Sequence, residues 1–341
     1  MPVIKFTTGS RTATRALEEF RTDFQSALVL AEPDLWAGRL GLVVTGKFKG
    51  KVTFPFPLDA AGYHVFSGEM KYRELYSRAM SFTTKKWQDG VKALAEIVEL
   101  PDYIGWAEQP ARMALEWRRQ PNTLAAAVLE ANPVLEFYRN PDTNAAGSRT
   151  LFASDHPFNV LQPALGSYNN DRTTTVAEIR SGKFFEDAAE YYASVKGPNG
   201  QPMGLTLDGG SVLFSLKRAA LFKKALESDT LIRAISNTGV PDAIANVVAA
   251  VPDNNIYKGT VTRELGRELT SASDNYFYTF AAGLPGAHAF VVLQGDTPEE
   301  FIHDKSSEMY KKSLEIAYAS VGDVNVAAAM PHTIARWQIT G

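Results

Sequence analysis

The clearest pattern near the start of the chain is helical. Between Thr12 and Ala31, apolar residues recur at steps of three and four positions, with charged residues between them. These apolar positions are Leu17, Phe20, Phe24 and Leu28. The spacing predicts an amphipathic helix in the N-terminal part of the chain.

A different pattern follows, in which glycine interrupts short runs of β-branched and aromatic residues. The stretch GRLGLVVTGKFKGKVTFPFPLDAAGYHVFSG covers residues 38–68 and carries six glycines: Gly38, Gly41, Gly46, Gly50, Gly62 and Gly68. Glycine weakens the interior of a strand because it has no side chain to pack. The stretch therefore predicts a long β-hairpin or extended loop that cannot build a core by itself.

The rest of the chain mixes helical and strand-like segments. A long helix is predicted from Ile104 to Ala131, with a break or kink near Pro110 and Pro121, because proline removes a backbone donor from a helix. Strand-like runs such as NYFYTFAA (275–282) follow, without the regular strand–helix repeat of a doubly wound fold. The chain is therefore predicted to be α+β.

Composition and charge narrow the possible functions. The 341 residues are 45% hydrophobic, which is typical of a globular protein of about two domains. The 35 Lys and Arg residues against 38 Asp and Glu give a net charge of −3, which argues against sequence-specific binding of nucleic acid. The chain has no cysteine, which excludes disulfides and thiolate sites. No stretch approaches the roughly 18 apolar residues of a membrane span, so no membrane partner is expected.

Cofactor and metal motifs are incomplete. Gly41–Lys47 has the spacing of a phosphate-binding loop, but the next residue is Phe48 and offers no hydroxyl to magnesium. We interpret this segment as a basic, glycine-rich hairpin. The five histidines do not pair at metal-ligand spacing. We therefore expect no cofactor and no metal.

The Asp155-His156 pair, close to Ser148 and Ser154, suggests a Ser/His/Asp hydrolase as one hypothesis. The nucleophile turn G-x-S-x-G is absent, and the side chains of adjacent residues usually diverge. A histidine in a turn before Pro157, hydrogen-bonded locally, is the favoured interpretation. We expect that the protein is not an enzyme.

Three blocks of sequence, taken in order, carry a resemblance to a known family. The first is KWQDGV (86–91) with DYIGW (102–106), the second is LFASDHP (151–157), and the third runs from GQPMGL (200–205) through Val212 to Glu227. Together they resemble the Mu-like major head protein family of tailed bacteriophages. The resemblance extends from about Leu17 to Trp337.

The resemblance implies the HK97-type capsid fold, and the element order above is compatible with it. The implied parts are an N-terminal arm, an extended β-loop (the E-loop), a peripheral domain with a spine helix at about 104–131, an axial domain, and returning strands. Their expected boundaries are 1–37, 38–85, 86–200, 201–261 and 262–341.

The resemblance also implies the function. The chain is expected to be a major capsid protein that assembles into pentamers and hexamers of an icosahedral head around double-stranded DNA. The implied partners are other copies of the chain, a scaffolding protein during assembly, portal and decoration proteins, and DNA held by non-specific contact. The expected location is the virion, and the host cytoplasm during assembly.

The arm and the β-loop supply the candidate contacts between subunits. These candidates are Phe20, Phe24, Trp36, Lys47, Phe48, Lys49, Phe54 and Phe56. Some relatives of the family crosslink subunits through a Lys–Asn bond. Lys47, Lys49 and Lys51 have no residue-level match to that feature, and we interpret them as solvated lysines at a loop.

Three alternatives stay open at this point. An encapsulin-like shell would share the fold but enclose an enzyme cargo. Another virion component, such as a tail or baseplate protein, would form stacked rings. A hydrolase using Asp155 and His156 would require a defined pocket.

Overall fold

The computed structural model describes most of the chain. The described residues are 12–30, 35–46, 51–57, 77–100, 104–135, 149–159, 162–197, 200–235, 249–283, 288–295 and 297–340. For residues 51–57, 77–82, 104, 232–235 and 249–253 the description concerns the backbone alone.

Helices and strands alternate irregularly, as the α+β prediction requires. The α-helices of the described residues are α1 (Ala13–Leu30), α2 (Trp36–Leu40), α3 (Ala95–Val98), α4 (Ile104–Ala107), α5 (Gln109–Ala131), α6 (Val176–Ser181), α7 (Lys183–Ser194), α8 (Ala219–Glu227) and α9 (Glu308–Ser313). The strands are β1 (Gly41–Thr45), β2 (Lys51–Pro57), β3 (Ser77–Thr83), β4 (Lys85–Leu94), β5 (His156–Pro157), β6 (Ser167–Tyr168), β7 (Asp171–Thr174), β8 (Thr206–Ser215), β9 (Thr230–Ile235), β10 (Ala249–Asn254), β11 (Thr262–Gly266), β12 (Tyr276–Ala282), β13 (Phe290–Gln294), β14 (Glu299–His303), β15 (Glu315–Ala328) and β16 (Ile334–Ile339).

Two five-stranded sheets organise these elements. In the β15 sheet, β14 and β13 pair with successive stretches of one edge of β15, β4 pairs with the other edge, and β1 pairs with the outer edge of β13. The β12 sheet has the order β11-β8-β12-β16-β7. Three further pairs of strands form two-stranded ladders: β2 with β3, β9 with β10, and β5 with β6.

Two hydrophobic cores accompany the sheets. The larger core packs helix α7 on the β12 sheet, where Phe184 lies 4.8 Å from Phe277 and 4.9 Å from Trp337, measured between ring centroids. The smaller core joins α1 and the first half of α5 to β15. The apolar face predicted for residues 12–31 is the face that α1 buries in this smaller core.

The predicted long helix is present, and its prolines act differently from one another. The helical segment is interrupted at Glu108, and Pro110 then occupies the first turn of α5, where a missing N–H costs nothing because that donor has no partner within the helix. Pro121 lies inside α5, and the helix continues past it to Ala131. The expected break therefore occurs before Pro110 and not at Pro121.

The segment predicted as a β-loop is divided by the structure. Its first part, β1, pairs in parallel with β13 and belongs to the β15 sheet. Gly41 allows this close approach, because an added Cβ would lie 3.1 Å from the Cβ and the carbonyl oxygen of Phe290 in β13. The hairpin is the antiparallel ladder of β2 with β3, from Lys51 paired with Thr83 to Pro57 paired with Ser77. The division into peripheral (86–200) and axial (201–261) domains, followed by returning strands (262–341), stays a prediction.

Asn170, fully buried, ties the C-terminal part of the chain to the loop that carries His156. Its Oδ1 accepts from the Ala153 N–H at 3.0 Å, and its Nδ2 lies 2.8 Å from the Leu151 carbonyl oxygen. The same Nδ2 reaches the carbonyl oxygens of Pro331 at 3.2 Å and Ile334 at 3.3 Å. One amide therefore satisfies backbone groups of two distant segments that have no regular pairing with each other.

Replacing Asn170 by alanine is expected to lower the free energy of unfolding by about 3 kcal/mol, because buried backbone groups lose their partners. Denaturant titration of Asn170→Ala measures this loss. The neighbouring Asn169→Ala is the matched control, since exposed Asn169 accepts one local N–H from Asp171, and we expect a loss below about 1 kcal/mol. Equal stability of the two variants would contradict the assigned role of Asn170.

Candidate functional site

The apolar face of α1 is buried against the chain's own body. The ring of Phe20 lies 4.9 Å from Trp106 and 4.7 Å from Tyr318, and Phe24 lies 5.6 Å from Tyr318. Phe20 is 2% exposed and Phe24 is 0% exposed. These two predicted contacts with a neighbouring subunit are therefore core residues of the same chain, because α1 folds back on α5 and β15.

Polar side chains hold α1 at its start and along its outer side. The Glu99 carboxylate accepts the Ala13 N–H at 3.1 Å and also receives Lys305 at 2.6 Å. The hydrogen bond from Lys305 is the main reason that the pKa of Glu99 lies below its ordinary value. Farther along, the Glu300 carboxylate accepts from Arg21 at 2.6 Å and from Gln25 at 2.9 Å.

Arg118 of α5 holds the other end of α1. Its Nε and Nη2 donate to the Leu28 carbonyl oxygen at 3.0 and 2.9 Å. The last carbonyl groups of a helix have no partner within the helix, so this guanidinium acts as a C-terminal cap. Sequence reasoning missed Glu99, Glu300 and Arg118 because they lie 86 to 279 positions away from their partners.

Helix α2 anchors the chain just before β1. Trp36 is fully buried and its Nε1 donates to Glu268 at 2.9 Å. Arg39 binds the buried carboxylate of Glu264 through two nitrogens, the Nε contact measuring 2.8 Å. Trp36 was expected at a subunit contact and is instead a core residue, because the α5 and β13 segments close over it.

The β2–β3 ladder is the part of the predicted loop that the structure describes as a hairpin. Seven residue pairs form it, and among the described residues no third strand joins it. Two prolines, Pro55 and Pro57, lie within β2. Phe54 and Phe56 also belong to β2, whereas Lys47, Phe48 and Lys49 lie outside the described residues. A subunit contact through these five residues stays a prediction.

Asp155 and His156 point in different directions, as adjacent residues commonly do. The Asp155 carboxylate is exposed and pairs with Arg149 at 2.6 Å. His156 is fully buried, and its Nε2 lies 3.2 Å from the Leu151 carbonyl oxygen, which makes Nε2 the donor. Ser154 is exposed, and Ser148 lies outside the described residues. The structure thus favours the histidine of a local turn over a catalytic arrangement.

His156 belongs to a stack of buried rings. Tyr168 lies between His156 at 5.0 Å and His332 at 4.8 Å, measured between ring centroids. Burial lowers the pKa of His156 to about 4 and that of His332 to about 3, and for His332 the nearby His156 adds to the effect. Both imidazoles are therefore neutral near pH 7, because they are buried in the core.

The other candidate motifs also serve the fold. The segment expected as a basic hairpin, with the spacing of a phosphate loop, begins with the paired strand β1, so its first backbone groups are engaged with β13. Within the described part of the chain, no group of three or more His, Asp or Glu residues is placed to hold a metal ion. In the same part, no helix combines the length and hydropathy needed to cross a bilayer.

Comparison with known proteins gives a fold and not a close relative. No family model matches the chain. No curated protein matches it either. Solved structures do match: the mature capsid of bacteriophage PhiM1, with a TM-score of 0.50 and 11% identity, covers 91% of this chain and 88% of that one. The capsid of the empty GTA particle, also at a TM-score of 0.50 and 11% identity, covers 91% of each chain.

The chain has the HK97-type capsid fold. The fold class that the resemblance implied is thereby confirmed, including its mixture of helices and several sheets. At 11% identity the comparison establishes the fold alone. The narrower Mu-like family has no match of its own and stays an expectation.

Replacing Arg118 by alanine is expected to loosen α1 without unfolding the rest of this capsid fold. The Leu28 carbonyl loses its cap, and we expect the local opening free energy of α1 to fall by about 2 kcal/mol, which is about thirtyfold faster exchange. Hydrogen exchange of residues 13–30 measures the effect. Arg112→Ala is the matched control, because exposed Arg112 pairs with Glu108 close by. Unchanged exchange in Arg118→Ala would contradict the capping role.

Acid is expected to destabilise the protein before its carboxylates titrate. The folded pKa values of His156 and His332 lie below the unfolded value of 6.5, so the unfolded chain binds these protons first as the pH falls. Stability is therefore complete above pH 6.5 and is lost below it, by about 2.7 kcal/mol per pH unit for the two histidines together.

Denaturant titrations from pH 7.5 to 4.5 measure this slope. His303→Gln is the control, since His303 is an exposed histidine of β14 and lies outside the ring stack of His156, Tyr168 and His332. A free energy of unfolding that is constant over this range would show that the two imidazoles do not titrate as their burial requires.

Proposed function

We propose that the chain is the major capsid protein of a tailed bacteriophage or prophage. Copies of it assemble into pentamers and hexamers of an icosahedral head that encloses double-stranded DNA. Its partners in this role are other copies of the chain, a scaffolding protein, portal and decoration proteins, and the packaged DNA. The protein acts in the virion and assembles in the host cytoplasm.

The observation that carries this proposal is the β2–β3 ladder within a capsid fold. A two-stranded ladder is marginally stable alone in water, and in the described part of the chain neither outer edge of this ladder has a strand as partner. A neighbouring subunit supplies those partners in a shell. The ladder therefore favours a protein that is complete only in an assembly.

The proposed contact residues are those of the loop and not those of the arm. Phe54 and Phe56 on β2, with Lys47, Phe48 and Lys49 just before it, are the residues that we assign to a neighbouring subunit. Such contacts join two different surfaces, so repeated copies close into rings. Each contact can be modest, because many act together over a closed shell.

The net charge of −3 is compatible with DNA as cargo. A container does not need the phosphate contacts of a sequence-specific binding protein, and non-specific contact requires only some basic residues on the inner face. An encapsulin-like shell shares the fold, so the contents of purified particles distinguish a genome from an enzyme cargo. The hydrolase alternative has little support, because His156 is buried and Asp155 is paired with Arg149.

Negative-stain electron microscopy of the purified protein, together with sedimentation, tests the proposal. We expect closed shells or five- and six-fold rings. The double variant Phe54→Ser/Phe56→Ser is expected to keep the melting temperature of the subunit while reducing the shell fraction at least about tenfold, since the apolar contact with a neighbour is lost.

Ile256→Ser is the control for this variant, because Ile256 is 66% exposed and lies away from the ladder in sequence and pairing. It should assemble like the natural chain. A folded monomer at every concentration, or stacked tubes of fixed diameter, would contradict the head-protein proposal.

A further inference from the structure

Leu314 has an unusual backbone conformation for a leucine. It ends helix α9 with φ +58° and ψ +19°, in the left-handed region, and its N–H donates to the Tyr310 carbonyl oxygen at 2.8 Å. Glycine or asparagine usually occupies this capping position because a larger side chain crowds the backbone there. A leucine at this position therefore carries a conformational cost that the cap itself does not require.

The side chain of Leu314 is only partly covered by the rest of the chain. It is 53% exposed. An exposed leucine in a left-handed cap departs from two local preferences. The backbone conformation favours glycine or asparagine, and the exposed position favours a polar side chain. Residues that depart from local preferences in this way are concentrated at functional positions.

Other exposed apolar side chains lie at the same end of the β15 sheet. The Ala95 N–H donates to the Leu314 carbonyl oxygen at 3.0 Å, and Leu94 pairs with Glu315 across β4 and β15. Leu94 is 44% exposed, and Ile97 and Leu100, in the short helix and turn that follow, are 38% and 57% exposed. We refer to Leu94, Ile97, Leu100 and Leu314 as the Leu314 patch.

Three lysine–glutamate pairs flank the Leu314 patch. They are Lys92–Glu315 at 3.2 Å, Lys305–Glu99 at 2.6 Å and Lys312–Glu308 at 3.6 Å. Each pair is neutral and offers both signs of charge. A nucleic acid or an anionic lipid surface would require an excess of positive charge here. A border with both signs instead complements the same border on a rotated copy of the chain.

We propose that the Leu314 patch is a docking surface for a second copy of this chain. The inference rests on the proposed function, that the protein assembles with itself, and it assigns one of the surfaces used. Leu314 enters the contact as its apolar centre, and the three ion pairs form its polar rim. This surface is separate from the β2–β3 ladder and lies beside the start of α1, which Glu99 holds.

The variants Leu314→Gly and Leu314→Asn test the assignment in the full chain. Both residues suit the left-handed cap, so the melting temperature of the unassembled subunit is expected to stay the same or rise by about 1–3 °C. Both remove the apolar centre of the patch. The protein concentration needed for assembly, measured by sedimentation and light scattering, is expected to rise about tenfold.

Leu216→Asn is the matched control, since Leu216 is 60% exposed and follows β8, and its assembly should equal that of the natural chain. Variants at Leu314 that assemble at the natural concentration overturn the docking surface and leave the proposed function intact. A natural chain that stays monomeric at every concentration overturns both. A lowered melting temperature of both Leu314 variants also overturns the assignment, because Leu314 then stabilises its own subunit.

Discussion

The fold depends on β15 being hydrogen-bonded along both of its edges. Its 14 residues pair with β4 on one edge and with β14 and then β13 on the other. One of its faces also receives the two long helices: Tyr318 packs against Phe20 of α1, and Gly322 lies under Trp117 of α5, where a Cβ would come within 2.1 Å of the indole ring. Because α1, α5 and four other strands meet at the β15 sheet, one strand fixes the positions of both long helices and of β1.

The sequence pattern predicts helices and strands better than it predicts which other parts of the fold pack or pair with them. The three- and four-residue spacing placed α1 to within a residue at each end, but an apolar face does not say which surface covers it, so Phe20 and Phe24 were assigned to a neighbour. The glycines around Leu42 predict a long β-hairpin or extended loop, and no local pattern indicates that β1 pairs in parallel with β13, some 250 positions away. The local turn at His156 was expected, whereas its stacking with Tyr168 and His332 carries no local signal.

The histidines and the carboxylates that could have formed a catalytic site instead make contacts that stabilise the fold. His156 and His332 are neutral members of a ring stack, and Asp155 faces solvent beside Arg149. The buried carboxylate of Glu264 binds Arg39 and joins α2 to β11. Buried polar groups of this kind fix the relative positions of the segments that they join.

The two prolines of β2 have a consequence for how copies of this chain behave when they are abundant. Residues 55 and 57 direct their backbone nitrogens to the same side of the strand, and the ladder with β3 runs through both, so the missing donors fall on the outer edge of β2. An edge without those donors is a poor template for further strands. Open-ended growth of a sheet between the hairpins of separate copies is thereby discouraged.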